Sequence, residues 1–147
     1  FTFGGLPPGG EPATHIAIPY PHVTGSQVAY TFDPASGRYL RFLGDDPHTD
    51  AGNGVQLALE NVVVQFVFHG ETDMVEDSLG NTGIDLNLFG EGEVIVFRDG
   101  VAFRGRWRSD SRGDTPHFFD QNGAEIPLKP GKTWVSIVPE AFEVEYR

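Results

Sequence analysis

The sequence predicts an all-β fold, an antiparallel β-sandwich or partly open barrel built from hairpins, with at most short helical turns. Three observations support this prediction. From His15 onward, clusters of β-branched and aromatic residues alternate with turn-forming residues about every dozen positions. The chain contains 19 Gly and 11 Pro, which suits many short strands joined by tight turns. No stretch has a sustained helical period, although residues 55–60 could form one short turn.

Length and composition predict one domain preceded by a linker. The 147 residues, 39% of them hydrophobic, are enough for one core of ordinary size. Residues 1–14 are rich in Gly and Pro, so we expect an extended linker without core contacts, followed by a single β-rich domain over residues 15–147. Because the chain begins at Phe1 rather than at Met or a signal sequence, we expect it to be part of a longer precursor.

The first predicted hairpin has its turn at residues 33–37. Proline at the second position of this turn fixes φ, and glycine at its end can adopt the left-handed conformation that closes it. Asp33 should then oppose Arg38, and Phe32 should oppose Tyr39 as an aromatic cross-strand pair.

The strongest local signal is a second hairpin over residues 91–109. Its Asp99-Gly100 dipeptide suits a two-residue type I′ turn, which sets Val96 opposite Phe103. The alternation of side chains then separates an apolar face from a charged face. The apolar face comprises Val94, Val96, Phe103 and Trp107, and the charged face comprises Glu91, Glu93, Arg104, Arg106 and Arg108. In this register Glu93 opposes Arg106 and Glu91 opposes Arg108.

Three further strands are predicted from apolar patterning. Residues 61–68 form an apolar run typical of a central strand buried on both faces. Turns at residues 122–123 and 130–131 precede a β-branched strand over residues 133–138. Residues 142–147 alternate apolar and charged side chains, so we expect an edge strand of the same domain, with pairing to another protein or to a second subunit as the alternative.

Charge and composition make several functional classes unfavourable. Ten Lys and Arg against 21 Asp and Glu give a net charge of −11, which repels nucleic acid and anionic lipid. The absence of Cys excludes disulfides, thiolate zinc sites and thiol nucleophiles. Apolar runs such as residues 62–64 are far too short for a membrane span, so we expect no direct membrane insertion of this segment.

Seven short motifs together carry a resemblance to a known family. They are YTFDPASGRY at 30–39, PHTD at 47–50, NVVVQ at 61–65, GIDL at 83–86, FRDG at 97–100, DQNG at 120–123 and PGKTW at 130–134. In order and spacing they resemble the C-terminal domain of YerB-like bacterial lipoproteins, a family of unknown function. The chain departs from the family's pattern in residues 70–82 and after Pro139.

The resemblance implies a β-rich module that follows another domain in an exported, membrane-anchored protein. It supplies no catalytic residue. We therefore expect a non-enzymatic protein-interaction or structural module, without cofactor, that is extracellular or at the cell surface through a preceding membrane anchor. A module that binds cell-envelope polysaccharide is the alternative, and a hydrolase is a distant third.

Two candidate ligand surfaces arise from arginine and aromatic residues. The first comprises Arg104, Arg106, Arg108 and Trp107. The guanidinium groups of the three arginines match oxyanions such as teichoic acid phosphates. The favoured interpretation is ordinary cross-strand pairing of these arginines with Glu91 and Glu93. The second comprises Trp107, Trp134, Tyr20, Tyr30 and Tyr39, which could stack on sugars but more often fill a core.

Two polar loops complete the candidate sites. Asp45, Asp46, His48 and Asp50, with Asn53 nearby, lie in a loop that offers oxygen ligands of the type that calcium or magnesium prefers, although hydrogen-bonded turns explain them more simply. The acidic residues Glu71, Asp73, Glu76 and Asp77 could form a recognition loop, with a solvated loop favoured. Of the histidines, His48 and His69 have acidic neighbours, but neither accompanies a nucleophile motif.

Overall fold

The computed structural model describes residues 1–19, 27–67, 90–111 and 114–147. These residues form twelve strands and contain no helix, which confirms the all-β prediction. The strands are β1 (Glu11–Pro12), β2 (His15–Ile18), β3 (Val28–Asp33), β4 (Arg38–Leu43), β5 (Asp46–Pro47), β6 (Ala58–Leu59), β7 (Asn61–Val67), β8 (Gly90–Arg98), β9 (Val101–Ser109), β10 (His117–Asp120), β11 (Thr133–Pro139) and β12 (Glu145–Tyr146). A strand, β6, lies where residues 55–60 suggested a helical turn.

Two six-stranded sheets pack against each other as a β-sandwich. The first sheet has the order β1-β9-β8-β7-β11, with β10 also paired to β9. The second has the order β12-β2-β3-β4-β5, with β6 also paired to β4. Most pairs are antiparallel, as predicted, but β11 runs parallel to β7. The sequence did not predict that pairing, because it joins strands far apart in the chain.

Both predicted hairpin registers are confirmed. Asp33 opposes Arg38, and the rings of Phe32 and Tyr39 lie 5.1 Å apart between centroids. In the second hairpin the turn residues have φ of 53° at position 99 and 77° at position 100, both in the left-handed region that a type I′ turn requires. Val96 opposes Phe103 there, and both are buried.

The first sheet is buried on both faces, which explains the continuous apolar run of β7. All seven residues of β7 are buried. On the side facing the second sheet lies the inner core, made of Ala13, Ile16, Ile18, Val28, Tyr30, Tyr39, Leu59, Val62, Val64, Phe66, Ile95, Phe97, Ala102 and Val138. On the opposite side lies the outer core, made of Val63, Val67, Val94, Val96, Phe103, Trp107, Phe118, Ile126 and Leu128. The outer core lies under β10 and the N-terminal residues.

Residues 1–14 contact the domain, which differs from the expectation of a linker without core contacts. Ala13 is fully buried, and its carbonyl accepts a hydrogen bond of 2.9 Å from the Tyr39 hydroxyl. Phe1 stacks on Phe118 with ring centroids 5.5 Å apart. The composition gave no sign of this, because the segment is anchored largely through backbone carbonyls, which every sequence carries.

Arg98 connects the N-terminal segment to the rest of the fold from a buried position. Its side chain is 4% exposed. Nη1 donates to the carbonyls of Gly4 at 2.9 Å and Pro127 at 3.1 Å, while Nε donates to the Asp99 carboxylate at 2.9 Å. Lys129 also donates to Asp99, at 3.0 Å. One guanidinium therefore holds two separate chain segments against the β8–β9 turn.

Acidification should destabilise the fold through Asp99. Burial opposes ionisation of this carboxyl, but hydrogen bonds from Lys129 and Arg98 outweigh burial and hold its pKa below the ordinary value. The carboxylate therefore contributes stability that is present above the unfolded pKa of about 3.9 and is lost as the pH falls through the lower folded value.

Urea unfolding at pH 7 and pH 3 tests this expectation. We expect the loss of unfolding free energy between the two pH values to be smaller in Asp99→Asn than in the wild type. Asparagine tolerates the left-handed conformation of this turn, so the backbone is preserved. The loss of unfolding free energy that remains in Asp99→Asn should come from groups such as Glu125, whose pKa is lowered chiefly by a hydrogen bond from His117. An equal loss in both proteins would contradict the assignment to Asp99.

The C-terminal segment pairs within its own domain. β12 lies antiparallel to β2, and the backbone of Arg147 exchanges hydrogen bonds of 3.0 Å with that of His15. Phe142, Val144 and Tyr146 pack on the inner core, as their alternation predicted. The paired part is shorter than predicted. After a turn at residues 140–141 the chain leaves the first sheet and joins the second sheet only at β12.

Candidate functional site

The charged face of the β8–β9 hairpin lies where the first sheet extends beyond the second. Ile95 and Phe97 of this face belong to the inner core and are covered. Glu91 and Glu93, on the same face nearer the open end of the hairpin, are exposed. The second sheet therefore ends partway along the hairpin and leaves the remainder of its inward face open to solvent.

Three arginines of β9 share this open surface, which we call the arginine face: Arg104, Arg106 and Arg108. Their side chains are 51%, 56% and 63% exposed. The predicted register is confirmed, since Glu93 opposes Arg106 and Glu91 opposes Arg108. One ion pair, between Arg106 and Glu91, is a cross-strand pair of the predicted kind, although these two residues are not directly opposed.

The carboxylates contacted by the arginine face are diagonal or sequential neighbours rather than the directly opposed residues. Arg106 Nη2 lies 3.6 Å from Glu91, and Arg108 Nε lies 3.4 Å from Asp110. Long side chains on a sheet reach diagonal neighbours as easily as opposed ones, which explains the shift. Arg104 Nε lies 4.0 Å from the Glu11 carboxylate and donates a hydrogen bond of 2.8 Å to the hydroxyl of Tyr146.

Two concave surfaces adjoin the arginine face. A groove of about 370 Å³ is lined by Phe66, Arg104, Arg106, Asp120 and Gln121 among others. A recess of about 300 Å³ lies between Arg104 and the segment containing Phe142. Both place apolar and charged groups together, a mixture typical of protein-contact surfaces.

Trp107 does not belong to the ligand surface, which corrects its inclusion with the three arginines. It is 2% exposed, and its indole Nε1 donates a hydrogen bond of 2.8 Å to the Phe66 carbonyl. Side chains alternate along a strand, so residue 107 faces the outer core while residues 106 and 108 face solvent. A ring in this position has no free face on which a sugar could stack.

The other aromatic candidates are also engaged within the fold. Tyr30 and Tyr39 are at most 1% exposed. The ring of Trp134 is covered by the Arg41 guanidinium, whose Cζ lies 3.8 Å from the ring centroid. Tyr20 lies outside the described residues. The described rings therefore form a core and its rim rather than a sugar platform.

The loop containing the metal candidates is organised by hydrogen bonds to its own backbone. Asp50 Oδ1 accepts from the amide of Gly52 at 2.6 Å, and Asn53 Oδ1 accepts from the amide of Val55 at 2.8 Å. Such Asx turns match the simpler of the two predicted interpretations.

The described side chains do not bring the metal candidates together. Asp45, Asp46, His48 and Asp50 form no metal-binding group, since no cluster of three or more His, Asp or Glu side chains suited to a metal ion occurs in the described part of the chain. The predicted acidic loop and His69 lie outside the described residues.

His48 instead contacts a buried arginine that sequence analysis missed. Its Nδ1 accepts a hydrogen bond of 2.8 Å from Arg41 Nη1, because a guanidinium can only donate. Arg41 is 6% exposed, and its Nε donates to the Tyr30 hydroxyl at 3.2 Å. The register of the first hairpin could have predicted this burial, because it places Arg41 opposite Tyr30, which faces the inner core.

Comparison with protein families identifies the domain. A family model described as "Protein of unknown function (DUF3048) C-terminal domain" matches residues 16–135, which is most of the chain. The chain belongs to this family. The DUF3048 C-terminal match includes the arginine face, Arg41, Arg98 and the start of β11, whereas β12 lies beyond it.

Two comparisons connect this DUF3048 C-terminal domain to a bacterial protein. A Bacillus subtilis (strain 168) protein named "Putative lipoprotein YerB" is 28% identical over 113 residues, which cover 77% of this chain and 31% of that protein. The crystal structure of the YerB protein from Bacillus subtilis matches with a TM-score of 0.74 and 22% identity, over 98% of this chain and 46% of that one. The second match shows a shared fold. The chain spans less than half of either relative.

Within the described residues, no helix is long and apolar enough to cross a bilayer.

Proposed function

We propose that this domain is a non-enzymatic protein-interaction module of an exported protein at the bacterial cell surface, and that its arginine face binds an acidic protein surface. The observation that supports this proposal is the arginine face itself. Three guanidinium groups, each more than half exposed, lie side by side on one strand of a chain whose net charge is −11.

The ion pairs within the arginine face are weak, which favours replacement of their carboxylates by those of a partner protein. The pairs to Glu11, Glu91 and Asp110 measure between 3.4 and 4.0 Å and are exposed. Exposed pairs of this kind contribute only about 0–1 kcal/mol each, so replacing an internal carboxylate by an external one costs little. Arginine is enriched at protein interfaces, and its planar guanidinium group can bind a carboxylate through two parallel hydrogen bonds.

The aromatic rings that suggested polysaccharide binding are buried or covered in the described part of the chain. Stacking of sugars on these rings therefore no longer supports the polysaccharide alternative. Location at the cell surface is supported by the name of the Bacillus subtilis relative, which describes a lipoprotein. Lipoproteins are held at a membrane by a lipid anchor, which leaves attached domains free to meet a partner.

A glutamate-rich peptide is the probe for this proposal, with lipoteichoic acid as the competing anion. We expect the domain to bind the peptide at low ionic strength and to release it as salt screens the charges. Changing all three arginines of the face to glutamine should weaken peptide binding by about tenfold or more, because up to three pairs of about 0–1 kcal/mol are lost. Isothermal titration calorimetry measures this change.

A second triple variant controls for net charge. Arg38→Gln, Lys132→Gln and Arg147→Gln remove three positive charges from exposed positions elsewhere. This control should bind the peptide within about threefold of the wild type, the change expected from a few tenths of a kcal/mol. Equal weakening in both triple variants would show that net charge, not the arginine face, governs binding. Arginine-dependent binding of lipoteichoic acid alone would favour the polysaccharide alternative.

A further inference from the structure

The outer edge of β11 presents unpaired backbone groups in the described part of the chain. The amide of Asn61 donates to the Lys132 carbonyl at 3.1 Å. Because alternate residues of a parallel strand bond to its neighbour, this bond determines that residues 134, 136 and 138 direct their N–H and C=O groups toward β7. Thr133, Val135 and Ile137 direct theirs outward, and no described strand lies on that side.

This edge lacks the features that usually protect an exposed strand. Edge strands are commonly short, charged or interrupted by proline, which prevents pairing with other chains. β1 and β5 have two residues each and contain a proline. β12 is equally short and carries Glu145. β11 has seven residues, no charged side chain and its proline only at the last position.

We propose that β11 pairs antiparallel with β11 of a second copy of this chain, with Val135 on the two-fold axis. In this register Val135 opposes Val135 of the partner, and Thr133 opposes Ile137 at both ends. Each outward N–H and C=O group then has a partner, which gives about six hydrogen bonds between the two chains. A register shifted toward Pro139 would lose a bond, because proline has no N–H.

The charges that flank β11 favour a second copy running in the opposite direction. Lys132 precedes the strand and Glu140 follows it, and both are exposed. Antiparallel pairing brings Lys132 of one copy to the end where Glu140 of the other lies, and the two-fold axis repeats this pair at the other end. The uncharged strand between them lets the two acidic domains meet without opposing like charges along the ladder.

Sedimentation and light scattering over a protein concentration range of about 10 µM to 1 mM test this proposal. We expect the wild-type mass to rise from 16.1 kDa toward twice that value. Val135→Pro should remain at 16.1 kDa throughout, because it removes an N–H on the two-fold axis. Proline is tolerated where a strand's N–H faces outward, so the fold should be retained. Val135→Ala, which loses the side chain but keeps the N–H, should still dimerise.

Hydrogen exchange supplies a readout that requires no variant. At high concentration the amides of Thr133, Val135 and Ile137 should become protected, whereas those of Trp134 and Ser136 should be protected at every concentration. A wild-type mass that stays at 16.1 kDa would overturn the proposal. A dimer that persists in Val135→Pro, while the amides of Thr133 and Ile137 exchange freely in that variant, would also overturn it and place the interface on another surface.

Discussion

Arg98→Met should lower the free energy of unfolding by about 3–5 kcal/mol, the range found when one partner of a buried charged network is removed. The substitution leaves the carbonyls of Gly4 and Pro127 without their donor and removes one of the two cations that contact Asp99. Methionine fills most of the same space, so the loss reflects hydrogen bonding rather than a cavity. Urea unfolding at pH 7 measures the change.

Two matched substitutions show whether the effect belongs to the buried guanidinium. Arg106→Met removes the same group from an exposed position and should change stability by no more than about 0.5 kcal/mol. Arg98→Lys keeps the charge but lacks the planar fork that reaches two carbonyls and a carboxylate together, so it should lie between the wild type and Arg98→Met. If Arg98→Met and Arg106→Met were equally stable, residue 98 would not be the anchor of the N-terminal segment.

Limited proteolysis shows which segment of the chain is released when the Arg98 side chain is lost. Arg98 Nη1 holds the carbonyl of Gly4, so its loss should release residues 1–6 before the sandwich itself unfolds. We expect cleavage within this segment to be faster in Arg98→Met, while β7 and β8 remain protected. Unchanged cleavage would mean that the stacking of Phe1 on Phe118 is sufficient to hold the segment.

Deleting residues 140–147 should lower the stability of the monomer by about 3 kcal/mol. The deletion removes β12 and uncovers the part of the inner core on which Phe142, Val144 and Tyr146 pack. Half-burial of three such side chains contributes about 1 kcal/mol each. In a domain of this size the loss corresponds to a fall in melting temperature of about 10 °C, measured by circular dichroism at low protein concentration.

A point variant separates core packing from the polar contacts of the same segment. The Tyr146 hydroxyl donates to the Glu11 carboxylate at 2.8 Å and accepts from Arg104, while its ring lies 5.4 Å from that of Phe97. Tyr146→Phe keeps the ring contact and should cost at most about 1 kcal/mol. Unchanged stability after the deletion would contradict pairing of β12 within its own domain.

The two proposed contact surfaces are separate and respond to different changes. The arginine face lies on β9, near one edge of the first sheet, whereas β11 forms the opposite edge. Val135→Pro should therefore leave binding of the glutamate-rich peptide intact, and the triple arginine variant should leave the oligomeric state intact. A dimer of the proposed kind would present two arginine faces from one continuous sheet, which would increase the avidity for a repetitive acidic surface.

The sequence by itself determined the hairpins and the faces of their strands. At Asp99-Gly100 the turn geometry and the alternation of Val96 and Phe103 are local, so the register follows from neighbouring residues alone. The same reasoning placed the three arginines together on one face. Applied to residue 107, it also places the indole on the opposite face, which is why Trp107 does not join them.

The tertiary structure alone decided how distant segments meet. β11 pairs with β7 although Asn61 and Thr133 are 72 positions apart, and a parallel register leaves no turn signal in the sequence. The burial of Arg98 depends on carbonyls of residues 4 and 127, whose positions no local pattern encodes. Long-range contacts are chosen by the packing of whole sheets, because the free energy of a buried group depends on every segment that covers it.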